Sequence, residues 1–444
     1  MHTFAAFVSA LNQLLWSGPM LFLLLGTHLY FTFRLSLIQK WLPKGIRLSI
    51  QDSGNASEGI SPFAALSTAL AATIGTGNII GISTAIFFGG PGAVFWCWIS
   101  GLLGIATCYS ECFLSTRYRQ RLADGRFAGG PMYLLKNILH RNILAICFAL
   151  FSVLASLGIG SSVQSHSICT AARTLFPISP HIIGISVALL TALVMFGGIR
   201  QISSVCMFLV PLMSLFYLSG CAYLLILNRN YLADAFLCIL TNAFMPRSIV
   251  SGISGGGLMY AFRIGITRGL FTNEAGLGSI PMAAAASNAS SPQKQGLISM
   301  TGVFWDTVVI CAVTGLVITS SMIKKPLSYQ NLSPDQLCFA AFSEIPHVGT
   351  FLLSVSLILF AFATILGWCY YGECGIIFLF GKKGIKYYQF IYIMSVYLGT
   401  ILSLKLIWDL SDLFNSFMIL PNLYCLLKLR KTVIRESCDL KKVT

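Results

Sequence analysis

The feature that most constrains this chain is the recurrence of apolar runs about 20 residues long. One such run crosses the hydrocarbon of a bilayer as a single helix, at about 1.5 Å per residue over a core of roughly 30 Å. Eleven candidate runs occur. They are A 13–33, B 61–86, C 91–115, D 143–168, E 182–199, F 201–227, G 249–287, H 297–323, I 349–380, J 387–404 and K 406–427. Of the 444 residues 56% are hydrophobic and 10% charged, where a soluble domain carries roughly a quarter charged. An aqueous monomer, a disordered chain, a collagen and a coiled coil are all excluded. The chain reads as an all-α, polytopic membrane protein.

Charge sets the expected orientation. The 29 Lys and Arg against 14 Asp and Glu leave +15, and the basic residues fall mainly between the apolar runs. With the N-terminus outside, 21 of them face the cytoplasm, including six between Arg117 and Arg141. Six face the other way: Arg173, Arg229, Arg247, Lys324, Lys325 and Lys405. Basic residues favour the cytoplasmic side, so the C-terminus is expected there. No Lys or Arg precedes Arg34, so span A lacks the basic start of a cleaved signal and is read as a retained helix. A multi-pass cell-membrane location follows, with lipid as a partner and nucleic acid excluded. The fourteen cysteines form no CxxC pair, so neither a disulfide framework nor a metal cluster is expected.

Eleven spans also frame a repeat. Residues 1–60 supply an extra helix and a cytoplasmic linker, 61–228 a first group of five spans, 249–428 a second group running inverted, and 429–444 a basic tail. Each group opens with a helix rich in glycine. Matching interruptions in two inverted halves are the pattern of secondary transporters that bind substrate between broken helices.

Span B carries Gly75, Thr76, Gly77, Asn78 and Gly81 in succession. Gly77 and Gly81 also fit a helix-packing GxxxG spacing. Asn78 beside two glycines argues instead for a break lining a cavity, since polar and unpaired backbone groups are costly in lipid. Span G carries Gly269, Thr272, Asn273, Glu274, Gly276 and Gly278. A break is expected near Phe271–Asn273, with Asn273 capping the second half-helix. Glu274 either serves the site or complements that half-helix's positive end. Arg263 and Arg268 are read as salt-bridge residues of an outer vestibule rather than as substrate contacts. Two breaks expose N–H groups that hold a carboxylate and carbonyls that hold Na⁺ or an ammonium, which suits a zwitterionic amino acid. In span I, Thr364 offers a hydroxyl, which also suits a bond back to its own helix. Gln164 in span D is placed to reach the cavity. Glu111, Asp306, Asp409 and Asp412 are further polar residues within spans. No HExxH and no Ser-His-Asp constellation appears, which disfavours an enzyme. A passive channel lined by polar breaks stays open as an alternative.

The strings GTGNIIG of 75–81, GGPGAVFW of 89–96, GGPMYLL of 129–135, RGLFTNEAGLGS of 268–279 and TILGWCYYGE of 364–373 together resemble the alanine or glycine:cation symporter family, over nearly the whole chain. That resemblance implies the leucine-transporter fold of five-plus-five inverted repeats, no cofactor, and Na⁺-coupled symport of alanine or glycine by alternating access. It implies an amino-acid pocket at Thr76, Gly77, Asn78, Gln164, Phe271 and Trp368. It implies a Na⁺ site formed by the carbonyls of Ala71 and Ile74 with the Thr364 hydroxyl. Gly75, Thr272, Asn273, Glu274 and Gly276 fall at the helix breaks. The chain departs from the family at Ala363, where serine is common. Proton coupling through Glu111, Glu274 or Glu373 is the alternative that this departure leaves open.

Overall fold

In the computed structural model, residues 2–51, 59–123, 125–244, 258–402, 405–438 and 440 are described. The first nine residues of span G, the last two of span J and the tail from 441 lie outside them. The described chain is nearly all helical. Its helices are α1 His2–Ser17, α2 Pro19–Arg34, α3 Leu42–Gln51, α4 Pro62–Thr73, α5 Ile80–Gly89, α6 Gly92–Arg117 and α7 Pro131–Asn137. Then follow α8 Asn142–Ala155, α9 Val163–Leu175, α10 Pro180–Met195, α11 Gly198–Leu227, α12 Leu232–Phe244, α13 Leu258–Asn273 and α14 Ile280–Ala285. The last are α15 Pro292–Val303, α16 Ala312–Lys324, α17 Gln336–Phe342, α18 Gly349–Phe380, α19 Ile385–Gly399 and α20 Lys405–Glu436. One short hairpin, β1 Gln120–Arg121 with β2 Phe127–Ala128, lies between α6 and α7.

Each expected span coincides with a helix or a run of helices. Among the described residues seven are long and apolar enough to cross a membrane alone, or eight with the bent pair α4–α5. Spans E, G and J fall short on length: α10 has 16 residues, α13 has 16 and α19 has 15. The helix starts follow local chemistry. Ser61 and Ser291 cap α4 and α15 by accepting from Ala64 N at 3.1 Å and Lys294 N at 3.2 Å. A proline stands at the first helical position of each, where its missing N–H costs nothing.

Helix α6 forms one axis of the packing, against α2, α13, α14 and α15, and α18 the other, against α4, α8, α9 and α11. Small residues allow this. A Cβ on Gly265 would lie 2.2 Å from Ala93 O, and one on Gly269 would lie 1.9 Å from Ser100 Oγ. Without a hydrophobic gain between helices in lipid, close backbone approach supplies the attraction.

Three departures from helical regularity bear on the site. Spans D and H each contain a π-helical stretch, Ser156–Ser162 and Phe304–Cys311, which periodicity does not reveal. Span B is interrupted as expected, with a bend of 60° between its halves. Span G is interrupted later than expected. Helix α13 continues to Asn273, and α14 begins only at Ile280 with Ser279 in the N-cap position. Asn273 therefore ends the first half-helix and does not cap the second. The reason lies in the glycines downstream: Gly276 and Gly278 take φ of +89° and +87°, and Glu274 takes +54°. These left-handed positions, which glycine adopts freely, fix the break at 274–279.

Candidate functional site

The interruption of span B is built by Asn78. Its Oδ1 accepts the Gly75 N–H at 2.9 Å, while its own backbone N–H bonds Gly75 O at 3.2 Å. In an intact helix the Gly75 N–H would serve Ala71 O, and the Asn78 N–H would serve Ile74 O. Diverting those two donors frees the carbonyls of Ala71 and Ile74. The N–H groups of Thr76 and Gly77 bond no protein acceptor among the described residues. The break thus presents two carbonyls on one side and two N–H groups on the other.

The Asn78 amide group is turned toward span H. It donates to Asp306 Oδ1 at 2.7 Å and to Cys311 Sγ at 3.3 Å, both in the π-helical stretch of span H. Thr307 Oγ1 donates to the other carboxylate oxygen of Asp306 at 2.6 Å. Asn78 is fully buried, and these bonds prop the break. Asp306 is the partner that sequence reasoning left without a role. A carboxylate in an apolar span was the available signal.

The break in span G presents similar chemistry. Asn273 Oδ1 accepts the Ala275 N–H at 3.0 Å, which removes the usual donor from the Phe271 carbonyl. Glu274 spans the gap. One carboxylate oxygen accepts from Ser279 Oγ at 2.5 Å, at the start of α14, and the other from the Trp368 Nε1–H of α18 at 3.1 Å. Glu274 directly follows the C-terminal end of α13 and links that end to Ser279 and to α18.

Helix α18 closes against both breaks. A Cβ on Gly367 would lie 2.6 Å from Ala72 N, and one on Gly75 would lie 2.6 Å from Thr364 Oγ1. The Thr364 hydroxyl donates to its own helix at Phe360 O, 3.0 Å away, which leaves its lone pairs toward the span B break. Gly77 faces Thr272, whereas nothing lies within 4 Å of a Cβ on Gly81. The GxxxG packing interpretation therefore does not hold at Gly81. Gln164, just after the first π-helical stretch, accepts from Thr76 Oγ1 at 3.2 Å. Phe271 packs against Trp16 of α1 in a tilted pair, ring centroids 4.5 Å apart at 37°. The two rings help line a cavity of about 20 Å³ with Ile159, Glu274 and Asn415, room for about one water molecule.

The structure thus gathers Gly75, Thr76, Gly77, Gln164, Phe271, Thr272, Glu274, Thr364 and Trp368 around two facing breaks. Arg263 and Arg268 form no ion pair within 4 Å among the described residues. Arg268 interacts at longer range with Asp412 of α20. A wider chamber of about 560 Å³ opens elsewhere, lined by Arg121, Arg126, Tyr133, Arg200, Tyr370 and Cys374. Tyr370 brings its floor within two residues of Trp368 along α18.

Two interrupted helices facing each other inside a helical membrane bundle define a secondary transporter rather than an enzyme. The whole chain, residues 1–444, matches the Sodium:alanine symporter family, and the protein belongs to that family. It is 40% identical to the sodium/alanine symporter AgcS of Methanococcus maripaludis, over 98% of this chain and 96% of that one. It is 35% identical to a probable sodium/glutamine symporter, GlnT of Bacillus subtilis, over 97% and 90%. Among solved structures it resembles MhsT in complex with L-phenylalanine, with a TM-score of 0.62 and 15% identity, over 88% of this chain and 94% of that one. That likeness establishes the leucine-transporter fold. Family membership implies Na⁺ as coupling ion, with no cofactor, in a multi-pass membrane protein.

Proposed function

We propose that this protein carries out Na⁺-coupled symport of a small neutral amino acid, alanine or glycine, by alternating access. The observation that carries the proposal is the pair of breaks. The Thr76 and Gly77 N–H groups suit a substrate carboxylate, and the Phe271 carbonyl in the facing break suits its ammonium. The Ala71 and Ile74 carbonyls and the Thr364 hydroxyl form the Na⁺ site, because a hard cation takes oxygen ligands. Trp368 and Phe271 wall the substrate side chain, and Gln164 holds Thr76 in place. Asn78 acts through the backbone it props. The bulk of Phe271 and Trp368 supports a methyl-sized substrate over a glutamine-sized one.

The N-terminus lies outside and the C-terminus in the cytoplasm, as the charge distribution supports. The chamber lined by Arg121, Arg126 and Arg200 is then the cytoplasmic vestibule. Purified protein in proteoliposomes tests the function. Under an imposed inward Na⁺ gradient, alanine or glycine accumulates above its external concentration. Equilibration without accumulation is the behaviour of a channel and overturns the proposal, and accumulation driven by a pH gradient alone replaces Na⁺ with H⁺.

A further inference from the structure

Spans D, I and J leave a groove of about 410 Å³ between them. None of the residues gathered around the two breaks lines it. Val153 and Leu157 come from span D, Ile376 and Phe380 from α18, and Ile391 from α19. Phe380 is 67% and Ile391 51% exposed, so the groove opens outward from the bundle, where a spanning helix meets lipid.

An apolar outer face is ordinary on such a helix, but the mouth of this groove is not apolar. Helix α18 ends at Phe380, and the turn that follows brings Lys383 into the lining, with Tyr387 at the start of α19. Lys382 and Lys386 flank Lys383 in the chain. Among the described residues that line the groove none is acidic. Tyrosine and lysine at the end of a span sit at headgroup level, the amine reaching for water while its stem covers apolar surface. From Ile385 to Ile391 helix α19 rises about 9 Å, so the apolar walls run inward from the cation. By the orientation proposed above, this end faces the cytoplasm, where anionic headgroups collect.

We propose that this groove binds one anionic phospholipid, its phosphate on Lys383 and Tyr387 and an acyl chain against Val153, Leu157, Ile376 and Ile391. Net charge selects the headgroup. A choline headgroup brings its own cation against the lysines, whereas a glycerol headgroup leaves the phosphate charge uncancelled. The back of the groove is the buried Tyr388. Its hydroxyl lies 3.0 Å from Ser156 Oγ in the π-helical stretch of span D and donates to Cys369 O of α18 at 3.3 Å. Gly372 leaves the room for that hydroxyl, since a Cβ there would collide with it. A lipid chain packed on the Tyr388 ring therefore supports the seam between span D and α18, one residue from Trp368. That consequence for transport rests on the symport reading above, and the binding does not.

Titrating the purified full-length protein in a neutral detergent with phosphatidylglycerol, phosphatidylcholine or glycerol phosphate tests it, with the thermal midpoint as readout. Phosphatidylglycerol is expected to raise the midpoint saturably by a few degrees and phosphatidylcholine much less. Glycerol phosphate, which lacks the chain, should leave it unmoved. Lys383→Ala, at an exposed position, removes the preference for phosphatidylglycerol, whereas Lys386→Ala, outside the lining, keeps it. Ile391→Trp fills the groove from its rim and abolishes the shift with every lysine in place. Equal shifts from the two lipids, an equal response to glycerol phosphate, or a phosphatidylglycerol shift unchanged in Lys383→Ala or in Ile391→Trp overturns the proposal. A protein that fails to accumulate amino acid in proteoliposomes sinks the symport reading and leaves these midpoints as they are, so the two failures are distinct.

Discussion

The Trp368 indole N–H bonds the Glu274 carboxylate at 3.1 Å, and this one contact ties the continuous helix α18 to the middle of an interrupted span. A Cβ on Gly160, in the π-helical stretch of span D, would lie 2.3 Å from Trp368 Cβ. The indole is therefore fixed from both sides, by a missing side chain behind it and a carboxylate before it.

Replacing Trp368 with Ala removes that donor and opens space beside the breaks. Alanine uptake is expected to weaken while larger neutral amino acids gain entry. Competition of labelled alanine uptake by leucine and glutamine reads this directly. An unchanged order of competitors removes Trp368 from the pocket wall.

Thr364→Ala deletes the hydroxyl that faces the span B break. The Na⁺ concentration for half-maximal uptake is expected to rise about tenfold, equivalent to about 1.4 kcal/mol. The alanine concentration for half-maximal uptake at saturating Na⁺ should move much less. Ala363→Ser, which adds a hydroxyl next to it, is expected to lower the Na⁺ requirement. A Thr364→Ala protein with wild-type Na⁺ dependence places the cation elsewhere.

Asn78→Ala strips the acceptor from the Gly75 N–H and the donor from Asp306 at once. Leaving buried polar groups unpaired costs about 1–3 kcal/mol, read as a lowered thermal midpoint in detergent. Asp306→Asn alone should cost less, because an amide can still accept from Asn78. A double-mutant cycle on the two positions should show coupling of about 0.5–3 kcal/mol. Strict additivity contradicts the propping role.

Orientation is checked by labelling Thr3→Cys and Lys442→Cys with a membrane-impermeant thiol reagent in intact cells, in a background lacking the exposed Cys438. Only the N-terminal site is expected to react. Reaction of both sites from outside contradicts an odd number of crossings.

Much of this architecture is legible in the sequence because lipid enforces it. Apolar length reports a span, and glycine with Asn78 in mid-span reports a break, since no other arrangement satisfies the backbone there. The break in span G was misplaced because Phe271–Asn273 looks like weak helix in isolation. Its true position depends on left-handed backbone at Glu274, Gly276 and Gly278, which propensity does not encode. The Asn78–Asp306 and Glu111–Asn422 bonds join residues 228 and 311 apart in the chain. Nothing local to either partner announces the other. The π-helical stretches were invisible for a related reason: one extra residue in a turn changes no composition.

The tilted contact of Trp16 with Phe271 gives the first helix a role beyond anchorage. A ring from α1 helps wall the small cavity beside the span G break. Without α1, the Phe271 ring would lose its aromatic neighbour and the small cavity one of its walls. A change in how α1 is seated therefore reaches Phe271, and with it the end of α13, through a single pair of rings.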